Sequence, residues 1–90
     1  MGVFEEEAKI FKALCDEKRI EIIDFIKNKE KCGCQLIELT NLAQSKLAYH
    51  IKILIDSGFV TARQQGKWSY YSLNKETADK AINIIKKYLK

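Results

Sequence analysis

The spacing of apolar residues changes at Gly58. Ahead of it they recur every three or four positions, the period of a helix, and behind it they alternate one by one, the period of a strand. After the glycine, Val60, Ala62 and Gln64 alternate with Thr61 and Arg63. Gln65-Gly66-Lys67 supplies a turn, and Trp68-Ser69-Tyr70-Tyr71-Ser72-Leu73 is aromatic and strand-like. The second part of the chain therefore opens with a two-stranded hairpin carrying a basic tip, with Trp68, Tyr70 and Tyr71 as its core rather than as a base-stacking platform.

Ahead of Gly58 four helices are predicted. Phe4, Ala8, Phe11 and Leu14 mark the first, with Ile10 and Ala13 beside them. Asp16 is placed to N-cap the second, which carries Ile20, Ile23, Phe25 and Ile26. Cys32-Gly33-Cys34 enters a short third helix through Leu36, Ile37 and Leu39, closed by Thr40-Asn41. A fourth runs from about Gln44 to Ser57 with Leu47, Ile51 and Leu54 inward, and Gly58 takes the place where a helix commonly ends. Two short apolar helices joined by a few residues make a helix-turn-helix. A last helix spans about Lys75 to Leu89. Its apolar residues form two rows, Ala78, Ile82, Ile85 and Leu89 in one, Ala81, Ile84 and Tyr88 in the other. One row can pack inward, and the other awaits a partner, most simply a second copy of the chain. The order predicts a winged helix-turn-helix, mainly α with a two-stranded β-hairpin wing.

Ninety residues leave room for a single domain, expected over 1–90, and rule out a two-domain enzyme. A domain of this size buries only about 60–65% of its unfolded surface, so dimerisation is an ordinary remedy. No apolar run approaches the roughly 18–20 residues of a membrane span. The N-terminus has acids where a secretory leader needs bases, and Glu6 stands where a myristoylation signal needs Ser or Thr. A cytoplasmic protein without membrane contact is expected, and three cysteines in a reducing compartment argue against a disulfide framework. Catalysis finds little to work with: one histidine, no Gly-rich phosphate loop, and no nucleophile beside a base.

The charge is uneven. Residues 1–31 carry seven bases against eight acids, and residues 32–90 nine against four. A basic second part suggests a polyanion, and the fourth helix gives it a surface. Turned away from its apolar stripe are Gln44, Ser45, Lys46, Ala48, Tyr49 and Lys52. Gln can bond an adenine edge, Lys and Ser can reach bases or phosphates, and Ala48 leaves room for a thymine methyl. His50 lies near the buried edge, suited to a structural hydrogen bond or a phosphate contact. Arg63, Gln65 and Lys67 on the wing would meet backbone or an adjacent minor groove. Double-stranded DNA is the expected partner, and a winged-helix module for protein contacts is the competing reading.

These residues resemble the arsenic-repressor (ArsR-type) family of metal- and metalloid-responsive repressors. The matching stretches are Leu14-Cys15-Asp16-Glu17-Lys18-Arg19, Cys32-Gly33-Cys34-Gln35-Leu36, Ser45-Lys46-Leu47-Ala48-Tyr49-His50-Ile51, Gly58-Phe59-Val60, and Arg63 to Trp68, so the resemblance covers about residues 4–90. It implies a homodimer through the first and last helices, bound as a repressor to an inverted-repeat operator and released by an inducer. It also implies that Cys32 and Cys34 are thiolate ligands for arsenite, cadmium or zinc as effector, with no cofactor required.

Residues two apart on a helix point about 200° apart, so these thiolates converge only if the backbone is extended or unwound, which Gly33 permits. A nearby helix N-terminus favours the thiolate form. The pattern departs from the family in its third ligand. Where the arsenic repressors have a cysteine three residues after the second, this chain has Ile37, and residues 74–90 lack the histidine of the family's zinc site on the last helix. Cys15 is the spare thiol, able to contribute across a dimer but read by itself as a small buried residue. A dithiol redox switch, with a disulfide across the pair, is the alternative to metal or metalloid sensing, and an effector-independent regulator is the remaining one.

Overall fold

Asp16 performs as its sequence position predicts. In the computed structural model, which describes residues 2–89, its carboxylate accepts the backbone N–H of Lys18 at 2.7 Å and of Arg19 at 3.4 Å, starting α2 (Glu17–Ile26). Before it comes α1 (Glu5–Ala13), whose first turn holds Glu5, Glu6 and Glu7 where unpaired N–H groups favour negative charge. The inward residues of α1 are Ile10 and Ala13, while Phe4 stays largely exposed. On α2 they are Ile22 and Ile26, and Ile20, expected inside, is half-exposed.

The helix-turn-helix is α3 (Gly33–Thr40) and α4 (Gln44–Ser57). Asn41, at φ 58°, ends α3, and Gly58, at φ 89°, ends α4. The glycine is required twice over. Its backbone is left-handed, and a Cβ there would fall 2.9 Å from Thr77 Oγ1, whose hydroxyl donates to the Gly58 carbonyl at 2.8 Å. Thr77 belongs to α5 (Lys75–Lys87), so the end of α4 and the start of α5 are locked together. Asn74 caps α5 by accepting the N–H of Glu76.

The hairpin is β2 (Val60–Gln65) and β3 (Trp68–Leu73), antiparallel, with Val60 opposite Leu73 and Gln65 opposite Trp68. The two-stranded wing is as expected, and a third strand that the sequence did not show joins it. β1 (Lys31–Cys32) pairs with the free edge of β3, Lys31 opposite Tyr71 and Cys32 opposite Tyr70, in the order β1-β3-β2. A two-residue strand beginning in the polar run Lys29-Glu30-Lys31 is too short to show a period, so it reads as loop.

Ile22, Ile26, Leu36 and Leu54 form the fully buried centre, drawn from α2, α3 and α4. From α5, Ala81 and Ile84 close over it. The other row behaves as an unpartnered face: Ile82, Ile85, Tyr88 and Leu89 are between 48% and 77% exposed. Tyr88, in the same sequence row as Ala81 and Ile84, is exposed as the C-cap of α5, which ends at Lys87. Among the described residues no helix is long and apolar enough to cross a membrane.

Candidate nucleic-acid interface and thiol pair

Helix α4 buries Leu47, His50, Ile51 and Leu54 and leaves Gln44, Ser45, Lys46, Ala48, Tyr49 and Lys52 exposed. Ser45, Tyr49 and Lys52, spaced i, i+4 and i+7, form one stripe, with Gln44 and Ala48 beside it. Lys52 is held by Asp56 at 3.2 Å, an exposed pair that a phosphate can displace.

His50 is the exception. It is 5% exposed, so of its two expected roles the structural hydrogen bond holds, and His50 leaves the set of candidate DNA contacts. Arg19 Nη1 donates to His50 Nδ1 at 3.0 Å; because a guanidinium only donates, the ring must be neutral with its proton on Nε2. The same guanidinium donates from Nε to the Ala13 carbonyl at 3.0 Å and from Nη2 to the Lys12 carbonyl at 3.1 Å, capping the C-terminus of α1. One buried cation thus ties α1 and α2 to the reading helix. Burial pushes the His50 pKa down, Asp16 opposes this, and the positive charges of Arg19 and Lys46 reinforce it. At Asp16, desolvation is outweighed by the backbone N–H groups of Lys18 and Arg19 and by nearby positive charge, which hold its carboxyl below the usual range.

On the wing, Arg63, Gln65 and Lys67 are all exposed, and Gly66 turns the tip at φ 63°. Arg63 is engaged at home. Its Nε donates to Glu30 at 3.0 Å, its Nη2 also reaches Glu30, its Nη1 donates to Gln65 at 2.7 Å, and its guanidinium lies 4.7 Å from the centre of the Tyr70 ring. The hydrogen bond from Arg63 lowers the Glu30 pKa and raises its own. Sequence reasoning missed Glu30, whose only signal was a lone acid beside an undetected strand. Trp68, expected in the hairpin core, is 49% exposed, while Tyr71 packs against the core.

Cys32 is the last residue of β1 and the N-cap of α3. Its extended backbone, φ −80° and ψ 162°, lets Sγ accept the N–H of Gln35 at 3.4 Å, while the Gln35 side chain accepts the Cys32 N–H at 2.9 Å. This is the non-helical geometry that the sequence requires for convergence. The two cysteines, with Cα atoms 5.3 Å apart, are joined as a disulfide. Cys32 is buried, and Cys34 is exposed at the mouth of a groove. Cys15 is exposed in the α1–α2 turn, which corrects its reading as a buried filler.

The sequence model described as bacterial regulatory protein, arsR family, matches residues 16–62 of the 90. The chain belongs to the ArsR family. It is 48% identical over 67 residues to the arsenical resistance operon repressor of Bacillus subtilis, a match that covers 73% of this chain and 64% of that protein. The chain therefore spans somewhat less than two thirds of that relative. Among solved structures, an ArsR-like transcriptional regulator from Rhodococcus superposes with a TM-score of 0.88 at 23% identity, covering 98% of this chain and 83% of that one. A homodimeric winged helix-turn-helix DNA-binding domain from Mycobacterium bovis superposes with a TM-score of 0.79 at 22% identity, covering 91% and 77%. At these identities the superpositions establish the winged-helix fold.

ArsR-family proteins are DNA-binding transcriptional regulators, not enzymes. The donor set is shorter than the resemblance implies. Among the described residues no three His, Cys, Asp or Glu side chains gather to hold a metal ion. One protomer therefore offers two converging sulfurs. That does not fit a tetrahedral zinc site, which takes four ligands, nor the three thiolates of inorganic arsenite.

Proposed function

We propose that this ArsR-family chain is a dimeric transcriptional repressor, working in the cytoplasm, that holds an inverted-repeat duplex and lets go when its thiol pair changes state. Gln44, Ser45, Lys46, Ala48, Tyr49 and Lys52 enter the major groove, and Arg63, Gln65 and Lys67 meet the backbone beside it. The second copy docks on the exposed row of α5 together with α1. The observation that carries the reading is the position of Cys32. It caps α3 of the helix-turn-helix and pairs in the sheet with Tyr70 of the wing, so a change at its sulfur bears on both DNA-reading elements.

The arsenical resistance operon repressor of Bacillus subtilis supports a soft metalloid as the class of trigger. The change acts as a population shift between a DNA-competent dimer and one whose reading helices no longer match successive grooves. A coupling of about 1–3 kcal/mol, roughly 5- to 150-fold in affinity, is typical of such switches. A second reading, a dithiol redox switch, is favoured by the disulfide between Cys32 and Cys34.

Fluorescence anisotropy on duplex from the chain's own upstream region tests both. The reduced protein is titrated with arsenite, cadmium and zinc in turn, and separately oxidised, with Cys32→Ser alongside. Release of the parent but not of the variant supports the thiol trigger and names it. Equal release of Cys32→Ser would sink the assignment to this pair.

A further inference from the structure

The wing carries two cations, and the fold engages them differently. Arg63 is held by Glu30, whereas no carboxylate among the described residues lies within ion-pair range of Lys67. The Lys67 Nζ instead sits 5.9 Å from the centre of the Trp68 ring. That ring, half-exposed, forms one wall of an open groove of about 390 Å³ between α3, α4 and β3. Ile37, Leu47, Ile51 and Tyr71 supply the other apolar walls, and Gln44 and Lys67 stand among the polar lining. Neither Asp nor Glu lines the groove.

Two properties of the lining select an occupant. An ammonium and an amide with no carboxylate beside them favour an anion over a cation. The walls are aliphatic and aromatic, so an anion without an apolar body would use Lys67 alone and leave them wet. A planar ring carrying one carboxylate satisfies both, the ring stacking on indole and the charge reaching the ammonium. We propose that this groove is a ligand site for an aromatic monocarboxylate, its ring against Trp68 and Ile37 and its carboxylate at Lys67. A cavity of about 150 Å³ accepts benzene, so a ring with its carboxylate has room.

The consequence lies in what else needs these side chains. Gln44, Ala48 and Lys67 are DNA contacts in the repressor reading, and all three line the groove. A carboxylate at Lys67 takes the ammonium from a phosphate, and a ring between Ala48 and Trp68 stands where α4 and the wing close on a duplex. Ligand and duplex therefore exclude each other, and by linkage each weakens the other by the same factor. A carboxylate is inert toward thiols, so this input acts separately from the state of the cysteines. The competition rests on the repressor reading above; the ligand site itself does not.

The test uses the full chain, reduced with a phosphine in the presence of a chelator, so that neither metal nor disulfide takes part. Benzoate is titrated beside benzamide, which has the ring without the charge, and acetate, which has the charge without the ring. Trp68, the chain's one tryptophan, reports occupancy by its emission, and anisotropy on the upstream duplex reports competition. A saturable response to benzoate is expected, with an affinity at least tenfold above that for benzamide or acetate. Duplex affinity should fall about elevenfold at a benzoate concentration ten times its Kd, as simple competition requires. Lys67→Gln erases the preference for benzoate over benzamide. Ile37→Phe, which fills the groove from α3, abolishes the Trp68 response while helical signal and duplex binding stay those of the parent. Silence of Trp68, or equal responses to the three probes, would overturn the proposal, as would a benzoate response that survives both substitutions. Occupancy that leaves duplex affinity unchanged overturns the competition and keeps the site. Occupancy in a chain with no affinity for duplex overturns the repressor reading and not the ligand site.

Discussion

Arg19 is 6% exposed, and its guanidinium is neutralised by helix-end carbonyls and one imidazole instead of a carboxylate hydrogen bond. Such an arrangement holds only while every donor has an acceptor. Replacing His50 by Leu removes one and leaves a buried N–H unpaired, at a cost of about 1–3 kcal/mol, measurable by urea unfolding. His50→Gln keeps an acceptor oxygen within reach and should recover most of the loss. The pH dependence separates the two roles of the ring. Its pKa is lowered from 6.5 in the fold, so the unfolded chain binds the extra proton first. The stability it contributes is complete above about pH 6.5 and declines as pH falls toward the folded value. The parent should therefore lose stability between pH 7 and 5, and His50→Gln should show a flatter profile; equal slopes would mean that His50 is not the titrating group. The sequence could not reveal this pair. Helical periodicity puts His50 beside Leu47 and Ile51, but its partner lies 31 residues earlier, and nothing local connects them.

Among the elements, those with chemical end-markers were the legible ones. Asp16 announces α2, Gly58 closes α4 and Gly66 turns the hairpin, because capping and positive φ demand particular residues. Gly58→Ala meets both a left-handed backbone and Thr77 Oγ1, and should cost upward of about 1 kcal/mol, read from the shift in the urea midpoint. The bounds of α4 were legible, and apart from His50 its buried stripe and polar face follow from period. β1 was not, being a strand only by virtue of the edge it joins. Its neighbour Glu30 gives the wing a testable restraint. Arg63 cannot hold Glu30 and a phosphate at once, so Glu30→Gln should raise duplex affinity several-fold. It should also steepen the salt dependence, by about 0.9 in the logarithmic slope if one phosphate contact is gained. Arg63→Ala should move both quantities the other way, and anisotropy across a salt series checks the pair.

For the whole molecule, measuring 44 × 22 × 22 Å, the decisive surface is the outer row of α5. Ile82→Glu combined with Ile85→Glu puts charge on a face whose inner side, Ala81 and Ile84, is left untouched. Sedimentation should show monomers with the helical content of the parent, and affinity for a palindromic duplex should drop toward that for a half-site. Loss of helical signal instead would make the row part of the protomer's own core. This face was legible as an excess of apolar residues on a terminal helix; the groove beside Cys34 was not, because it forms between segments far apart in the chain. The ladder between Lys31–Cys32 and Tyr70–Tyr71 also has an engineering consequence. Residues 29–35 hold the cysteine pair proposed as the trigger, the cap of α3 and the strand that grips the wing, with none of the side chains proposed to face bases. They amount to a transplantable cassette: spliced into another winged-helix protein whose wing has a free edge, they would bring chemical responsiveness and leave the host's target site unchanged.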